Sequence, residues 1–122
     1  MKIRLLLVDD DSEFRCTVRQ LLGQREETEV VGEAADGEEA LGMIACLEPD
    51  VVLMDLTMPR MNGLEATRQI KVRWPHLAVI LLTVHDDEVY RRTAFASGAQ
   101  AFLLKKTLGV DLWPTLARLA GV

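Results

Sequence analysis

Two adjacent carboxylates, Asp9 and Asp10, follow the apolar run at 5–8, and a third, Asp55, closes the run "VVLM". A hydroxyl, Thr83, ends "AVILL", and an ammonium, Lys105, ends "AFLL". Carboxylates set at the tips of apolar runs repel one another and lose hydration, so the cluster needs a counter-charge. A hard divalent cation supplies one. Mg2+, or Mn2+ with similar tastes, takes an octahedron of oxygens, keeps several waters and needs only two or three protein oxygens. Such an ion leaves positions open for a phosphoryl oxygen. Taken singly, each residue has a plainer reading. Asp11 with Ser12 is a helix start, where a carboxylate favours the positive end of the helix dipole. Thr83 alone is a strand end, Lys105-Lys106 a solvated pair, and Phe102 a core residue. Their shared location carries the functional argument.

That location depends on the elements. Five short runs rich in Val, Ile and Leu recur: "IRLLLV" from Ile3, "EVVGEA" from Glu29, "VVLM" from Val51, "AVILLT" from Ala78 and "AFLL" from Ala101. They hardly alternate, as expected of parallel strands buried on both faces. Amphipathic segments separate them. Phe14, Val18, Leu21 and Leu22 fall at helical spacing, as do Ala40, Leu41, Ile44 and Ala45. Leu64, Thr67, Ile70 and Trp74 form a third stripe that Pro75 stops. Val89, Thr93 and Ala96 predict the inward face of a fourth helix, closed by Gly98. Leu112, Leu116, Leu119 and Ala120 form the fifth, with Asp111 as the expected cap of a first turn containing Pro114. Strand and helix alternate five times, which predicts an open, doubly wound α/β sheet. Ligands of such sheets sit beyond the carboxyl ends of the strands, where Asp9, Asp10, Asp55, Thr83 and Lys105 stand.

Composition narrows the class. At 122 residues, 49% of them hydrophobic, the chain suits one domain with one core. A net charge of −5 argues against electrostatic DNA binding by the chain itself. Cys16 and Cys46 lack metal-ligand spacing and read as ordinary buried or half-buried thiols of a reducing compartment. No apolar run approaches the roughly 20 residues that span a membrane. A soluble cytoplasmic domain is expected, without membrane contact.

The motifs "VDD" at 8–10, "LMDLTMPRMNG" at 53–63, "LLT" ending at Thr83, "SGA" at 97–99 and "FLLK" ending at Lys105 resemble those of the response-regulator receiver domain of two-component signalling. The resemblance covers essentially the whole chain, 1–122. Within the family, "LLTVHDDE", "SGAQAFLLKK" and "LLLVDDDSEFR" are most similar to the NarL/FixJ (LuxR-type) transcription regulators, which usually carry a C-terminal helix-turn-helix domain. The chain then reads either as a receiver whose C-terminal output domain is missing or as a stand-alone receiver.

The resemblance implies a flavodoxin-like fold, strand order 2-1-3-4-5 with five helices. It implies that Asp55 accepts a phosphoryl group from a histidine kinase or phosphotransfer protein. Mg2+ would be held by Asp10, Asp55 and the Thr57 backbone carbonyl, with Asp9 orienting the metal or its waters. Lys105 would pair with Asp55 and then with the phosphoryl oxygens, which Thr83 would also contact. Pro59 and Gly63 would shape the loop after Asp55. Thr57 and His85 would flank the acyl phosphate and set its lifetime. Thr83 and Phe102 would form the switch, changing the surface of the fourth helix, fifth strand and fifth helix, a possible homodimer contact. Phe102 stands where the family often has tyrosine, so a switch based on its hydroxyl is lost. Val84 replaces a commonly small residue and could narrow access to the site. Lys106 replaces a common proline, so no cis bond is assumed there.

Two other functions compete. An aspartyl-phosphate hydrolase also uses a strand-end aspartate but typically carries D-x-D, whereas this chain reads Asp55-Leu56-Thr57 and has no cap domain. A pseudo-receiver would usually have lost Asp55, Thr83 or Lys105; all three are present.

Overall fold

The computed structural model describes residues 2–121. Its elements run β1 (Ile3–Val8), α1 (Ser12–Leu22), β2 (Thr28–Ala34), α2 (Gly37–Leu47), β3 (Val51–Asp55), α3 (Gly63–Arg73), β4 (Ala78–Thr83), α4 (Glu88–Ala96), β5 (Ala101–Leu104) and α5 (Leu108–Ala120), with a 3-10 turn, Lys105–Thr107, before α5. The strands form one sheet, β2-β1-β3-β4-β5, parallel throughout. This is the flavodoxin-like order the resemblance implies.

Side chains alternate across the sheet, and both faces are covered. Leu6, Val8, Val52, Met54, Val79, Leu81 and Phe102 pack with Ala40, Leu41 and Ile44 of α2, Ala66 and Ile70 of α3, and Ala94 of α4. Leu5, Leu7, Leu53, Ile80 and Leu82 face the other way, onto Val18 and Leu22 of α1 and Leu108, Leu112 and Leu116 of α5. Two apolar faces per strand explain why the runs hardly alternate. β2 departs from this: as an edge strand its middle residues are only half-buried.

The helices start where the strands deliver the chain. Asp11, Asp36, Asn62 and Asp87 cap α1 to α4, each accepting backbone N–H groups of the first turn. These caps follow the carboxyl ends of the strands, which gathers the β–α loops at one edge of the sheet. Gly98, at φ 106°, turns the chain after α4, and a side chain there would collide with the stem of Lys71.

Four expectations need correction. The fourth helix does not bury Val89 and Ala96. Ala94 is its buried residue, whereas Val89 is 68% exposed. α4 is short and covers only a narrow strip beside the edge strand β5, so small Ala94 suffices for its contact. Ala45 of α2 is likewise exposed. Asp111 does not cap α5. The helix starts three residues earlier, and the Asp111 carboxylate accepts a hydrogen bond from the Thr107 hydroxyl at 2.7 Å. Pro114 therefore lies inside α5, on its exposed side, and the carbonyl it deprives of a donor belongs to exposed Val110. Finally, Cys16 is half-buried but Cys46 is exposed.

Among the described residues no helix is long and apolar enough to cross a membrane, and no peptide bond is cis.

Candidate functional site

β1 and β3 are neighbours in the middle of the sheet, which brings Asp9 and Asp10 beside Asp55. One carboxylate oxygen from each lies within 4.8 Å of the others. Asp9 and Asp55 are buried and Asp10 is exposed. An all-oxygen donor set, two members fixed by strands and one open to water, fits a hard divalent cation that keeps part of its hydration shell.

Lys105 enters from the end of β5. Its Nζ lies 2.7 Å from Asp9 Oδ2 and 3.4 Å from Asp55 Oδ1. The expected Lys105–Asp55 pair is thus present, but Asp9 holds the ammonium more closely. The other Asp9 oxygen accepts the Asp11 N–H at 2.9 Å, so both sides of that carboxylate are engaged. This environment divides the acids into different roles. Burial pushes the Asp55 carboxyl up to about 6, the Asp9 charge adding to the rise and Lys105 opposing it. Burial disfavours the charged form of Lys105 too, but its hydrogen bond to Asp9 and the charge of Asp55 outweigh this and hold its pKa above the ordinary lysine range. The site is a charge cluster in which burial and the neighbouring acids disfavour the Asp55 anion.

A pH dependence follows. Asp55 binds its proton more tightly in the folded chain (about 6) than in the unfolded one (3.8). Its contribution to stability therefore falls as pH rises from about 4 to about 6 and is flat above. Without metal, Asp55→Asn is expected to exceed the wild type in stability at pH 7.5, by at most about 3 kcal/mol. The gap should close as pH falls through 6 towards 4. Urea unfolding followed by the fluorescence of Trp74 and Trp113 measures it; a gap that widens on acidification would contradict the assignment.

The remaining candidates lie at the same edge in differing relations to the carboxylates. Thr83 is buried at the end of β4, one residue past Leu82, the partner of Asp55 across the ladder. Its Oγ1 accepts the His85 N–H at 3.0 Å. Thr57 is exposed in the loop after β3. The exposed His85 ring stacks on Tyr90, centroids 5.4 Å apart. Val84 is exposed as well. Phe102 is buried in the core on the α4 side of the sheet, so its ring is already turned inward. Gly63 earns its place sterically: a Cβ there would come 2.3 Å from the Asp55 carbonyl oxygen.

Sequence reasoning missed three supporting side chains. Phe14, read as a core residue of α1, also lies under Lys105, with Nζ 4.2 Å from the ring centroid. Arg15 donates to the Asp9 backbone carbonyl and pairs with Glu33 at 2.9 Å, bracing the β1–α1 turn. Arg60, in the loop after Asp55, pairs with buried Asp36. Partners so distant along the chain leave no local pattern to detect.

A family model described as the response regulator receiver domain matches residues 5–114. The chain is 42% identical over 105 residues to the transcriptional regulatory protein DegU of Brevibacillus brevis, covering 86% of this chain and 44% of DegU. It is 42% identical over 114 residues to the response regulator protein VraR of Staphylococcus epidermidis, covering 92% and 54% respectively. It therefore spans about half the length of these curated relatives. Among solved structures, a two-component response regulator of the LuxR family from an Aurantimonas species superposes with a TM-score of 0.92 at 35% identity, over 99% of this chain and 87% of that one. The receiver domain of the response regulator NarL from Mycobacterium tuberculosis does so with a TM-score of 0.92 at 32% identity, over 98% and 97%. With the fold, the strand-end acids and these relatives in agreement, the chain belongs to the response regulator receiver domain family of two-component signalling, with LuxR- and NarL-type regulators among its relatives.

Proposed function

We propose that this chain is a phosphorylation-dependent switch in which Asp55 takes a phosphoryl group from a histidine kinase or a phosphotransfer protein. The observation that supports this most is the pairing of a buried, strand-held Asp55 with Lys105, beside two further acids. A carboxylate oxygen of Asp55 attacks phosphorus, and the bond from phosphorus to the donor breaks with its electron pair leaving on the donor. Asp55 must be ionised to attack. Displacement of this kind depends on positioning and charge neutralisation more than on covalent chemistry. Lys105 serves both needs, first against Asp55 and then against the transferred oxygens. Mg2+, or Mn2+, would be held by Asp10, Asp55 and the Thr57 carbonyl and would supply charge neutralisation, with Asp9 acting through its grip on Lys105 and on the metal's waters. The Thr83 hydroxyl, buried at the end of β4, would donate to a phosphoryl oxygen. Thr57 and His85 stand at the rim, where they would affect the approach of water. The chain performs this on itself and is not a turnover enzyme.

The output is a surface. Phosphorylation would rotate Thr83 away from the His85 N–H and repack Phe102, altering the face made by α4, β5 and α5. Val89, Tyr90 and Phe95 of α4 already stand exposed there, which suits a homodimer contact. Since the coupling is a population shift, the resting chain visits the altered state as well. By analogy with its regulatory relatives, the parent protein would act on transcription in the cytoplasm through a separate helix-turn-helix domain. DNA binding would not come from residues 1–122, whose net charge is −5. Chemical shifts with and without beryllofluoride and Mg2+ test the switch. Changes reaching Thr83, Phe102 and the α4 face are expected; changes confined to the surroundings of Asp55 would count against it.

Asp10 offers a cleaner test of the metal reading. It is exposed and makes no described hydrogen bond or ion pair of its own, so Asp10→Ala should preserve the fold. Because it also relieves repulsion with Asp55, thermal stability without metal should be unchanged or slightly raised. Mg2+ affinity should fall by at least about tenfold, a loss of roughly 1.4 kcal/mol. Unaltered affinity in a calorimetric titration would remove Asp10 from the ligand set.

A further inference from the structure

The loop from β3 to α3 is closed on itself. The Gly63 N–H donates to the Leu56 carbonyl at 2.9 Å, and Gly63 sits so tightly on the Asp55 carbonyl that no Cβ fits. Within the loop, the Met61 N–H donates to the Pro59 carbonyl at 2.7 Å, across Arg60 at φ 63°. That is a γ-turn with a positive central φ, a rare and strained conformation for a residue with a Cβ. Strain of this kind persists only where the surroundings over-determine it.

The surroundings here are the start of α2. Asp36 is 2% exposed. Its Oδ1 caps α2 by accepting the Glu39 N–H at 2.9 Å, and its Oδ2 accepts Arg60 Nε at 2.9 Å together with a second guanidinium N–H. The Glu39 N–H and then Arg60 hold the Asp36 carboxyl well below the ordinary carboxylate range. The backbone repeats the tie: the Gly37 N–H donates to the Met61 carbonyl at 3.2 Å, and a Cβ on Gly37 would lie 2.9 Å from that oxygen. The Arg60 side chain is 61% exposed and, among the described residues, pairs with Asp36 alone.

We infer that the Arg60–Asp36 pair is a latch that positions the β3–α3 loop, holding Asp55 and the Thr57 carbonyl in the arrangement that receives the divalent cation. This deepens the proposed function and rests on it. Arg60 is a positioning residue, acting through the loop backbone rather than on the metal or phosphoryl group. The direction of the effect separates this role from simple electrostatics. Removing a positive charge from the chain should leave cation binding unchanged or tighten it, whereas releasing the loop should weaken it.

The test is a calorimetric titration of the whole chain with Mg2+ alone, paired with amide exchange at Met61 and Gly63. Arg60→Ala changes an exposed side chain, and Asp36→Asn keeps a capping oxygen, so both should fold. Each is expected to weaken Mg2+ binding by about tenfold, the scale on which groups supporting metal ligands act. The double variant should be no weaker than the worse single, because either change opens the same latch. Exchange at Met61 and Gly63 should accelerate while amides of β1 and β3 hold. Arg60→Gly, which relieves the positive φ without restoring the pair, should bind as weakly as Arg60→Ala; Arg60→Lys should recover part of the affinity. Arg60→Ala binding as tightly as the wild type, or more tightly, overturns the latch, as does wild-type affinity in Arg60→Gly. If the wild type takes no Mg2+ at all, the metal reading falls and the latch with it. If the wild type binds and loses affinity in Asp10→Ala but not in Arg60→Ala, the latch alone is wrong.

Discussion

Acetyl phosphate with Mg2+ is expected to add one phosphoryl group to the wild-type chain, and none to Asp55→Ala. Of the three clustered acids, Asp9 is occupied on both oxygens, by Lys105 and by the Asp11 N–H. Asp10 is exposed, and among the described residues no ammonium pairs with it. Asp55 alone combines burial, attachment to a central strand and a lysine at 3.4 Å. Its carboxyl is raised to about 6, a basicity that favours nucleophilic attack once it is ionised. The reaction should therefore slow on acidification, where protonation removes the attacking oxygen, at a pH that bound Mg2+ moves below 6. Intact-mass analysis reads both arms. Equal labelling of Asp55→Ala would show that another side chain is the acceptor; a wild type that takes no label would leave a pseudo-receiver. Repeated turnover of a phosphate ester would favour the hydrolase.

Replacing Lys105 should have the largest effect on stability. Lys105 is the shared counter-ion of two buried carboxylates, its side chain only 15% exposed. Lys105→Met keeps an apolar stem against Phe14 and removes the charge. Breaking a buried pair by deleting one partner costs about 3–5 kcal/mol, because the surviving charge stays desolvated. Here two charges survive. The loss should be greatest in metal-free chain at pH 7.5. It should shrink at pH 5, where Asp55 accepts a proton and the repulsion with Asp9 disappears. Mg2+ should restore part of it by replacing the missing positive charge. Denaturant midpoints at the two pH values, with and without Mg2+, decide the matter. A variant as stable as the wild type at pH 7.5 without metal would mean that the Lys105 pairs contribute little in solution.

How much of this could be read without coordinates depended on the range of each interaction. Strand and helix alternation, the helix start at Asp11 and the turn at Gly98 are local matters of propensity and hydrogen bonding within a few residues, and they were legible; the caps at Asp36, Asn62 and Asp87 are equally local but were not read. So was the convergence of Asp9, Asp10, Asp55 and Lys105 on one edge, because parallel strands must all end on the same side. The stripe assigned to α4 failed for a reason of scale: a helix packed over a sheet edge buries one small residue, and three apolar positions at helical spacing do not say which neighbour is there to cover them. Pro114 misled because proline in a helix is judged by the carbonyl it deprives, and whether that carbonyl lies on an exposed face is a tertiary fact.

The sequence by itself determined the fold class, the edge at which the acids, hydroxyl and lysine gather and the residue types assembled there, since strand periodicity and chain direction are backbone properties written locally. Only the tertiary structure decided how charge is shared among those residues. It gave Lys105 to Asp9 more closely than to Asp55, set Phe14 beneath the ammonium and joined Arg60 to Asp36 across 24 positions of chain. Coulomb and hydrogen-bond energies turn on ångström separations and on burial. Those are products of the packed chain, and no spacing along the sequence encodes them.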